Sequence, residues 1–300
     1  MNSRKAHAAV IAANLIFGIN FSVVQYITHL YVGPFGLNIL RVGITTLLLW
    51  SLWLGGSSPA GIEKKDILRF LFCAITGVVI NQSLFIQGLS MTLSIHASLL
   101  ILVTAVFISV ADSLTGTESM SALKWMGLLI AIGGATLLSL SGKESGDQAS
   151  AIMWGDLLII LNAISYAIYF SLVKPLIKKY STLHVIRWVF TMGLLFMVPI
   201  GWTQLEAVQW TSLSREGVAG ILFIVLGATF GAYLFNLYGI KHLGASVTGT
   251  YIYTQPLFAS LIALFLLGEH YTLSKGLAAS LIITGVLLAN RNTSTTDPAT

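Results

Sequence analysis

Residues 244–289 decide the fold, and they read GASVTGTYIYTQPLFASLIALFLLGEHYTLSKGLAASLIITGVLLA. Two long apolar stretches flank a short polar turn at Gly268, Glu269 and His270. A helix needs about 20 apolar residues to cross the hydrocarbon core of a membrane, and each stretch is close to that length. The segment therefore predicts a membrane hairpin of two helices.

The same hairpin occurs earlier in the chain, at a constant spacing of 151 residues. A repeat at half the length of a chain is typical of transporters whose substrate site lies between two structural repeats. The spacing superposes the two copies without a gap at six pairs: Gly88 and Gly239, Phe107 and Phe258, Ser109 and Ser260, Glu118 and Glu269, Lys124 and Lys275, Gly134 and Gly285.

The composition places the chain in a membrane. Charged residues make up 9% of its 300 residues and hydrophobic residues 56%, whereas a soluble domain carries about 25% charged residues. The net charge of +5 does not indicate nucleic-acid binding, because the basic residues are dispersed in loops between apolar stretches. The single cysteine, Cys73, excludes an internal disulfide and a cysteine-built metal cluster.

Apolar stretches of the required length predict an all-α membrane protein with ten transmembrane helices. Five helices in each half are an odd number, so the two repeats are expected to be inverted relative to each other. We expect a first repeat over 1–143, a second over 152–291 and a disordered tail over 292–300. The predicted helices lie at about 8–29, 34–54, 67–88, 95–113, 124–141, 154–173, 184–204, 217–238, 245–267 and 274–290.

The distribution of lysine and arginine predicts the orientation. Basic residues are retained on the cytoplasmic side of a membrane, and with ten helices both termini share one side. Eleven basic residues fall on that side and three (Lys143, Arg215 and Lys275) on the other. We therefore expect a multi-pass protein of a bacterial-type inner membrane with both termini in the cytoplasm.

Short motifs spread along the chain carry a resemblance to a known family. They are FGINF at 17–21, Pro34 followed by Arg41, glycines at 88, 134, 239 and 285, QPLF at 255–258 and LGE at 267–269. In these motifs the chain resembles the EamA-type members of the drug/metabolite transporter superfamily. The resemblance implies ten helices in two five-helix repeats around a central cavity. The first repeat departs from the pattern, with Thr104 and Ala105 where the second has Gln255 and Pro256.

The candidates for substrate binding are polar, aromatic or small residues inside the apolar stretches. Polar groups are costly in lipid and are expected to face protein or water. A lining of amides, hydroxyls and aromatic rings suits small polar or amphipathic solutes, above all amino acids, including aromatic ones. The alternative for each residue is a packing or hydrogen-bonding contact between helices. The candidates are Asn14, Gly18, Asn20, Asn81, Phe85, Tyr166, Tyr169, Asn236, Tyr251 and Gln255.

Two further residues are candidates for gating or for structure. Pro256 is expected to break the ninth helix, and the matching stretch 99–105 lacks a proline, so we expect the two sides of the cavity to differ. Arg41 lies roughly 10 Å inside the second helix at 1.5 Å per residue, where a charge costs about 2.5–3.5 kcal/mol. It could anchor a substrate carboxylate, form a gating ion pair or extend to the lipid headgroups.

The acidic residues admit both structural and functional interpretations. Glu118 and Glu269 occupy the repeated turns, where they could set the turn by favouring the positive end of the next helix or couple transport to an ion. Asp156 lies near a helix end, where a hydrated position is expected, and His96 stands near the start of the fourth helix.

The sequence predicts a secondary transporter, an exporter or facilitator that works by alternating access. The alternative is a membrane-embedded enzyme or a receptor-like protein, but the chain has no Walker, HExxH, GxSxG or CxxC motif. We expect no enzymatic activity, no cofactor and no metal. The expected partners are a small-molecule substrate and the lipid bilayer, with no nucleic acid and a monomeric chain. Uniport and proton antiport both remain open.

Overall fold

The computed structural model describes residues 2–54, 61–114, 121–140, 147–243 and 245–289. We number its long helices α1 to α10 in chain order. Six are α-helical from end to end: α1 (Asn2–Leu30), α2 (Pro34–Leu54), α5 (Ala122–Leu140), α6 (Asp147–Lys179), α7 (Thr182–Glu206) and α10 (Leu273–Ala289).

The other four helices change geometry along their length. Helix α3 runs through Lys64–Asp66 (3-10), Ile67–Ala74, Ile75–Ile80 (π) and Asn81–Leu89. Helix α4 comprises Ser94–Leu100, Ile101–Val103 (3-10) and Thr104–Leu114. Helix α8 comprises Arg215–Leu222, Phe223–Gly231 (π) and Ala232–Leu243. Helix α9 comprises Ala245–Thr250, Tyr251–Thr254 (3-10), Gln255–Ile262 and Ala263–Leu267 (π).

The helices identify a multi-pass membrane protein. Within the described ranges, nine helices, α1 to α9, are long and apolar enough to cross a membrane. Helix α10 is also apolar but has 17 residues, whereas a helix needs about 20 residues to span the hydrocarbon core. Large apolar side chains such as Phe265 and Leu273 are more than 80% exposed. In a membrane these surfaces face lipid.

The spacing of 151 residues recurs in the secondary structure. The π-helical segments of α3 and α8 end at Ile80 and Gly231, and the 3-10 segments of α4 and α9 end at Val103 and Thr254. The starts of α3 and α8, of α4 and α9, and of α5 and α10 show the same spacing. The two halves therefore share local backbone geometry as well as sequence.

The helix break expected at Pro256 is present in α9, and a similar break occurs in α4 without a proline. Pro256 is the second residue of Gln255–Ile262 and follows the 3-10 segment. In α4, Ala105 stands at the equivalent position, yet Ile101–Val103 is also 3-10. Because both copies are broken, the tighter turn does not depend on the proline ring alone.

Close contacts between α5 and α10 relate the two halves. A methyl group placed on Gly134 would lie 2.8 Å from the amide nitrogen of Ile282, and one on Gly285 would meet the backbone of Ala131. Gly134 and Gly285 are equivalent in the repeat, and so are Ala131 and Ile282. Such reciprocal contacts are typical of a two-fold relationship. Residue numbers rise along α5 as they fall along α10, so the two helices pack antiparallel.

Apolar side chains pack into two clusters between the helices. The larger one includes Phe21 of α1, Leu100 of α4 and Ile282 of α10, and so joins both halves of the chain. The smaller one surrounds Phe70 and Cys73 of α3 and contacts α6 and α7.

Candidate functional site

The middle of α1 contacts the broken middle of α9 through two amides. The Gln255 side chain donates a hydrogen bond to Asn14 Oδ1 (2.9 Å), and Asn14 in turn donates to the carbonyl of Val10 (2.8 Å). Both amides are more than 90% buried. The structure thus brings two of the predicted site residues together as a polar contact between the repeats.

Gly18 lies beside this contact and lets the two helices approach. A methyl group on Gly18 would lie 3.1 Å from the amide nitrogen of Ala259 and 3.3 Å from the carbonyl oxygen of Gln255. Any larger side chain would force α1 and α9 apart, since backbone atoms cannot move aside. In this arrangement Gly18 sets the distance between the helices, and its own surface contacts protein.

A second amide contact joins α3 to α6. Asn81 donates to the carbonyl of Asn162 (3.2 Å), and Asn162 donates to the carbonyl of Asn81 (2.7 Å). Ser165, one turn further along α6, donates to the carbonyl of Thr76 (2.7 Å). Thr76 belongs to the π-helical segment of α3, whose geometry shifts backbone carbonyls out of the regular ladder.

The aromatic candidates lie in separate pairs. Phe85 of α3 packs edge-on against Phe21 of α1, with ring centroids 5.8 Å apart. Tyr166 and Tyr169 of α6 are tilted against each other at 5.7 Å. Tyr169 also packs against Gly77, whereas Tyr166 is 38% exposed. The two pairs line different helix contacts, so the structure does not gather them into one aromatic cage.

The remaining candidates are scattered over three helices. Tyr251, in the 3-10 segment of α9, forms a hydrogen bond between its hydroxyl and His7 Nδ1 (2.7 Å) near the start of α1. Asn20 is buried, and its Oδ1 has no partner among the described residues. Asn236 is half-buried on α8.

Arg41 is buried inside the protein and does not extend to the headgroups. Its side chain is 7% exposed, and its Nε donates to the hydroxyl of Thr229 on α8 (3.1 Å). Its Nη1 has no partner in the described part of the chain. Burial overturns the headgroup interpretation of this residue.

Glu269 joins the turn between α9 and α10 to the start of α4. Its carboxylate accepts hydrogen bonds from the backbone N–H groups of Ser94 (2.7 Å) and Ile95 (3.1 Å). The first N–H groups of a helix lack partners within the helix, and a carboxylate there satisfies them and favours the positive helix end. Glu269 therefore stabilises a helix of the other repeat, rather than the helix that follows it. Its counterpart Glu118 lies outside the described residues.

Sequence reasoning missed a buried polar network around this cap. We call it the polar cluster and define it as Gln25, Thr92, Ser94, His96, Asp156 and Glu269. Asp156 is 0% exposed, which corrects its expected hydrated position. The Thr92 hydroxyl donates to its Oδ1, and His96 Nδ1 lies 3.0 Å from its Oδ2. The sequence singled out Asp156, His96 and Glu269 one by one, but nothing in it indicated that they meet.

Gln25 completes the polar cluster. Its amide donates to the carbonyl of Thr92 (2.8 Å), and its Oε1 accepts from the hydroxyl of Ser94 (2.7 Å). The polar cluster thus connects α1 and α4 of the first half with α6 and the α9–α10 turn of the second half. Its side chains close one end of the helix bundle.

Two cavities open at the same end. One has a volume of about 260 Å³ and is lined by Gln25, His29 and Thr92 among others. The other has a volume of about 340 Å³ and adds Glu269. Ligand pockets generally span roughly 300–1,000 Å³, so the first cavity is just below that range and the second is at its small end. Both cavities are lined in part by side chains of the polar cluster.

Known proteins resemble the chain along almost its full length. An uncharacterized transporter of Archaeoglobus fulgidus is 26% identical, covering 96% of this chain and 98% of that protein. An uncharacterized inner membrane transporter of Salmonella typhimurium is 25% identical, covering 96% and 95%. A probable terminal-alkyne amino-acid exporter of Streptantibioticus cattleyicolor is 25% identical, covering 87% and 85%.

Comparison with solved structures supports the fold. One crystal structure superposes with a TM-score of 0.63 at 14% identity and covers 96% of both chains. The profile of the EamA-like transporter family matches residues 4–140 and 153–291, which are nearly all of the chain. The chain belongs to the EamA-like transporter family, as the sequence motifs predicted.

Proposed function

We propose that this protein is a secondary exporter of small polar or amphipathic metabolites, with amino acids, including aromatic ones, as the preferred class. The transport step is binding and release at a site between two repeats, without covalent chemistry. The observation that carries the proposal is the pair of mid-helix amide contacts, Asn14–Gln255 and Asn81–Asn162, each joining one half of the chain to the other.

These contacts suit a transporter because they are polar, buried and breakable. An interhelical hydrogen bond in a membrane contributes about 0.6 kcal/mol on average, which is small compared with the energy of a whole helix interface. A solute that offers its own donors and acceptors can replace them at little cost. Asn14, Gly18, Asn20, Asn81, Phe85, Tyr166, Tyr169, Asn236, Tyr251 and Gln255 remain our proposed binding residues.

The proposed architecture consists of ten membrane helices in two inverted repeats, 1–143 and 152–291. The antiparallel, reciprocal contact of α5 with α10 supports it, because an axis in the membrane plane relates antiparallel equivalents. The excess of lysine and arginine on one side supports cytoplasmic termini. With that orientation the polar cluster lies at the outer end of the bundle.

Alternating access then requires the polar cluster to open and close. Glu269 links the second repeat to the α4 helix of the first, so outward opening separates this carboxylate from Ser94 and Ile95. At the opposite end, the His7–Tyr251 bond links α1 to α9. Both ends are bonded in the described conformation, as expected for an occluded intermediate. The relative named as an amino-acid exporter supports the solute class.

Flux measurements test the proposal directly. The purified protein, reconstituted in liposomes, is expected to move radiolabelled L-phenylalanine or L-leucine faster than protein-free liposomes. Comparing flux with and without an imposed pH gradient separates uniport from proton antiport. Absence of flux for every metabolite tried, together with turnover of a lipid or precursor, would favour a membrane-embedded enzyme.

A substitution in the central contact tests the site. Gln255→Leu is expected to abolish transport while the protein remains folded, because it removes the amide that bonds Asn14. Gln209→Leu is the matched control, since Gln209 is exposed in a loop. Unchanged flux in Gln255→Leu would assign the amide to helix packing alone.

A further inference from the structure

One face of α2 carries three polar side chains that neither the amide contacts nor the polar cluster uses. Asn38, Arg41 and Thr45 follow one another at spacings of three and four residues, which places them in one stripe along the helix. Their exposed fractions are 0%, 7% and 4%. The stripe therefore points into the protein and away from lipid.

Each of these side chains has a buried polar atom without a hydrogen-bond partner among the described residues. The atoms are Asn38 Oδ1, Arg41 Nη1 and Thr45 Oγ1. Buried polar groups are bonded in about 90% of cases or more, because leaving them unpaired is costly. Three unpaired atoms on one helix face indicate a place where a bound molecule supplies the missing partners.

The other polar atoms of the stripe hold it in position. Asn38 Nδ2 donates to the carbonyl of Gln82 on α3 (3.0 Å), and Arg41 Nε donates to the hydroxyl of Thr229 (3.1 Å). Thr229 in turn donates to the carbonyl of Ile224 (2.7 Å) inside the π-helical segment of α8. Segments of π-helix occur frequently at functional sites. The orientation of the guanidinium is thus fixed before any ligand arrives.

The charge of Arg41 defines one half of the ligand. Its bonded partner Thr229 is neutral, and its Nη1 is unpaired in the described part of the chain. A buried guanidinium without an anion is unfavourable, and its planar donors fit a carboxylate or a phosphate in two-point contact. The missing partner is therefore an anionic group of the solute.

The unpaired acceptor Oδ1 of Asn38 defines the other half of the ligand. Side chains three residues apart on a helix have Cβ atoms about 5–6 Å apart, so Asn38 and Arg41 project from neighbouring positions of the same helix face. An acceptor there suits a donor carried on the same solute. Building on the proposed function, we propose that Asn38, Arg41 and Thr45 bind the zwitterionic head group of an α-amino acid. Arg41 takes the carboxylate and Asn38 takes the ammonium group.

The repeat gives this head-group site a single orientation. Extending to α2 the spacing of 151 residues that holds from α3 onward pairs Asn38, Arg41 and Thr45 with Val189, Met192 and Phe196 of α7. These side chains are apolar and offer nothing to a carboxylate or an ammonium group. The α2 stripe thus fixes one end of the solute, and the amide and aromatic candidates remain for its side chain.

Competition in proteoliposomes tests the chemistry of the ligand. Uptake of radiolabelled L-phenylalanine is measured against unlabelled L-phenylalanine, against phenethylamine, which lacks the carboxylate, and against 3-phenylpropanoate, which lacks the ammonium group. Each analogue is expected to need at least about a 30-fold higher concentration than L-phenylalanine, as befits the loss of a charge-assisted bond. Equal inhibition by phenethylamine would overturn the role of Arg41.

Variants test the residues. Arg41→Met is expected to raise the KM for L-phenylalanine by at least about 30-fold, and Arg41→Lys by less, because it keeps the charge but not the planar donors. Asn38→Leu is expected to remove the preference for L-phenylalanine over 3-phenylpropanoate. Lys241→Met, which removes an exposed charge, is the matched control and should leave KM unchanged. A KM within threefold of the parent value in Arg41→Met would overturn the proposal.

Thermal unfolding in detergent adds a readout that does not require transport. Without ligand, Arg41→Met should unfold at a higher temperature than the parent protein, because it removes an unpaired buried charge. L-phenylalanine should raise the midpoint of the parent protein and leave that of Arg41→Met unchanged. A lowered ligand-free midpoint in Arg41→Met would assign Arg41 to structure and overturn the proposal.

The two readouts separate the head-group site from the transport function. If the parent protein moves other solutes while L-phenylalanine neither moves nor raises the midpoint, transport stands and the head-group site is overturned. If L-phenylalanine raises the midpoint through Arg41 but no solute moves, the site stands and the transport function fails.

Discussion

Replacing Glu269 by alanine should loosen the end of the bundle that the polar cluster closes. The substitution leaves the backbone N–H groups of Ser94 and Ile95 without an acceptor at the start of α4. A hydrogen bond to a charged group contributes about 1.5–3 kcal/mol, so two contribute roughly 3–6 kcal/mol. The cost of burying the carboxylate offsets part of this gain. We expect a net loss of about 2–4 kcal/mol, or roughly 30- to 1,000-fold in the opening equilibrium.

Thiol labelling measures this opening. Ser98 is completely buried one turn beyond the capped amides, so a thiol introduced by Ser98→Cys reports access to the α4 helix start. The native Cys73 is first replaced by serine, so that a single thiol remains. A membrane-impermeant maleimide should label this protein slowly. Adding Glu269→Ala to this protein should raise the labelling rate by roughly 30- to 1,000-fold.

A control variant tests whether the change in labelling is specific to Glu269. Glu63→Ala removes an exposed carboxylate that pairs with Lys65 and Lys179. Glu63 lies beside the start of α3, whereas the polar cluster lies beyond the end of that helix. Glu63→Ala should not change the labelling of the Ser98→Cys thiol. If Glu269→Ala labels within threefold of its parent while the protein stays folded, the carboxylate does not hold this end closed.

Three further predictions concern packing, the central amides and pH. Gly134→Ala should lower the unfolding midpoint by roughly 3–10 °C, because its methyl group meets the backbone of Ile282. The control is Gly133→Ala, whose methyl group would meet no atom within 4 Å, and it should leave the midpoint unchanged or raise it. A double-mutant cycle of Asn14→Ala and Gln255→Ala should give a coupling energy of about 0.5–1.5 kcal/mol, and zero coupling would contradict their hydrogen bond. Burial raises the pKa of Glu269 above 4.5, against the opposing effects of Ile95, Ser94 and Lys275. The folded chain therefore holds this proton more tightly than the unfolded chain, so the free energy of unfolding should fall as the pH rises from 4.5 through the raised pKa; the same slope in Glu269→Gln would refute this assignment.

The apolar pattern and the repeat were readable from the sequence because they are properties of the chain alone. The hydropathy of each stretch predicts a membrane helix without knowledge of its neighbours, and α1 to α9 lie where the apolar stretches predicted them. The contact between Asn14 and Gln255 was partly predictable, because polar groups in lipid seek partners. Which partner each amide takes was not.

The buried charges show where sequence reasoning stops. Asp156 and Arg41 were assigned positions from their distance to a helix end, and both are buried deep between helices. Depth along one helix says nothing about which face a neighbouring helix covers. The partners of Glu269 are also beyond sequence, since Ser94 and Ile95 are about 175 residues away and belong to the other repeat.

By itself, the sequence determined a duplicated membrane protein of the EamA-like transporter family, because hydrophobicity and internal repetition are local and additive. The tertiary structure decided what the polar residues do. It placed Glu269 on the helix end of the other repeat, joined Asp156 to His96 and left Arg41 buried beside a neutral hydroxyl. These outcomes depend on which helix faces meet, and a buried polar group gains or loses free energy only through the partner that the packing supplies.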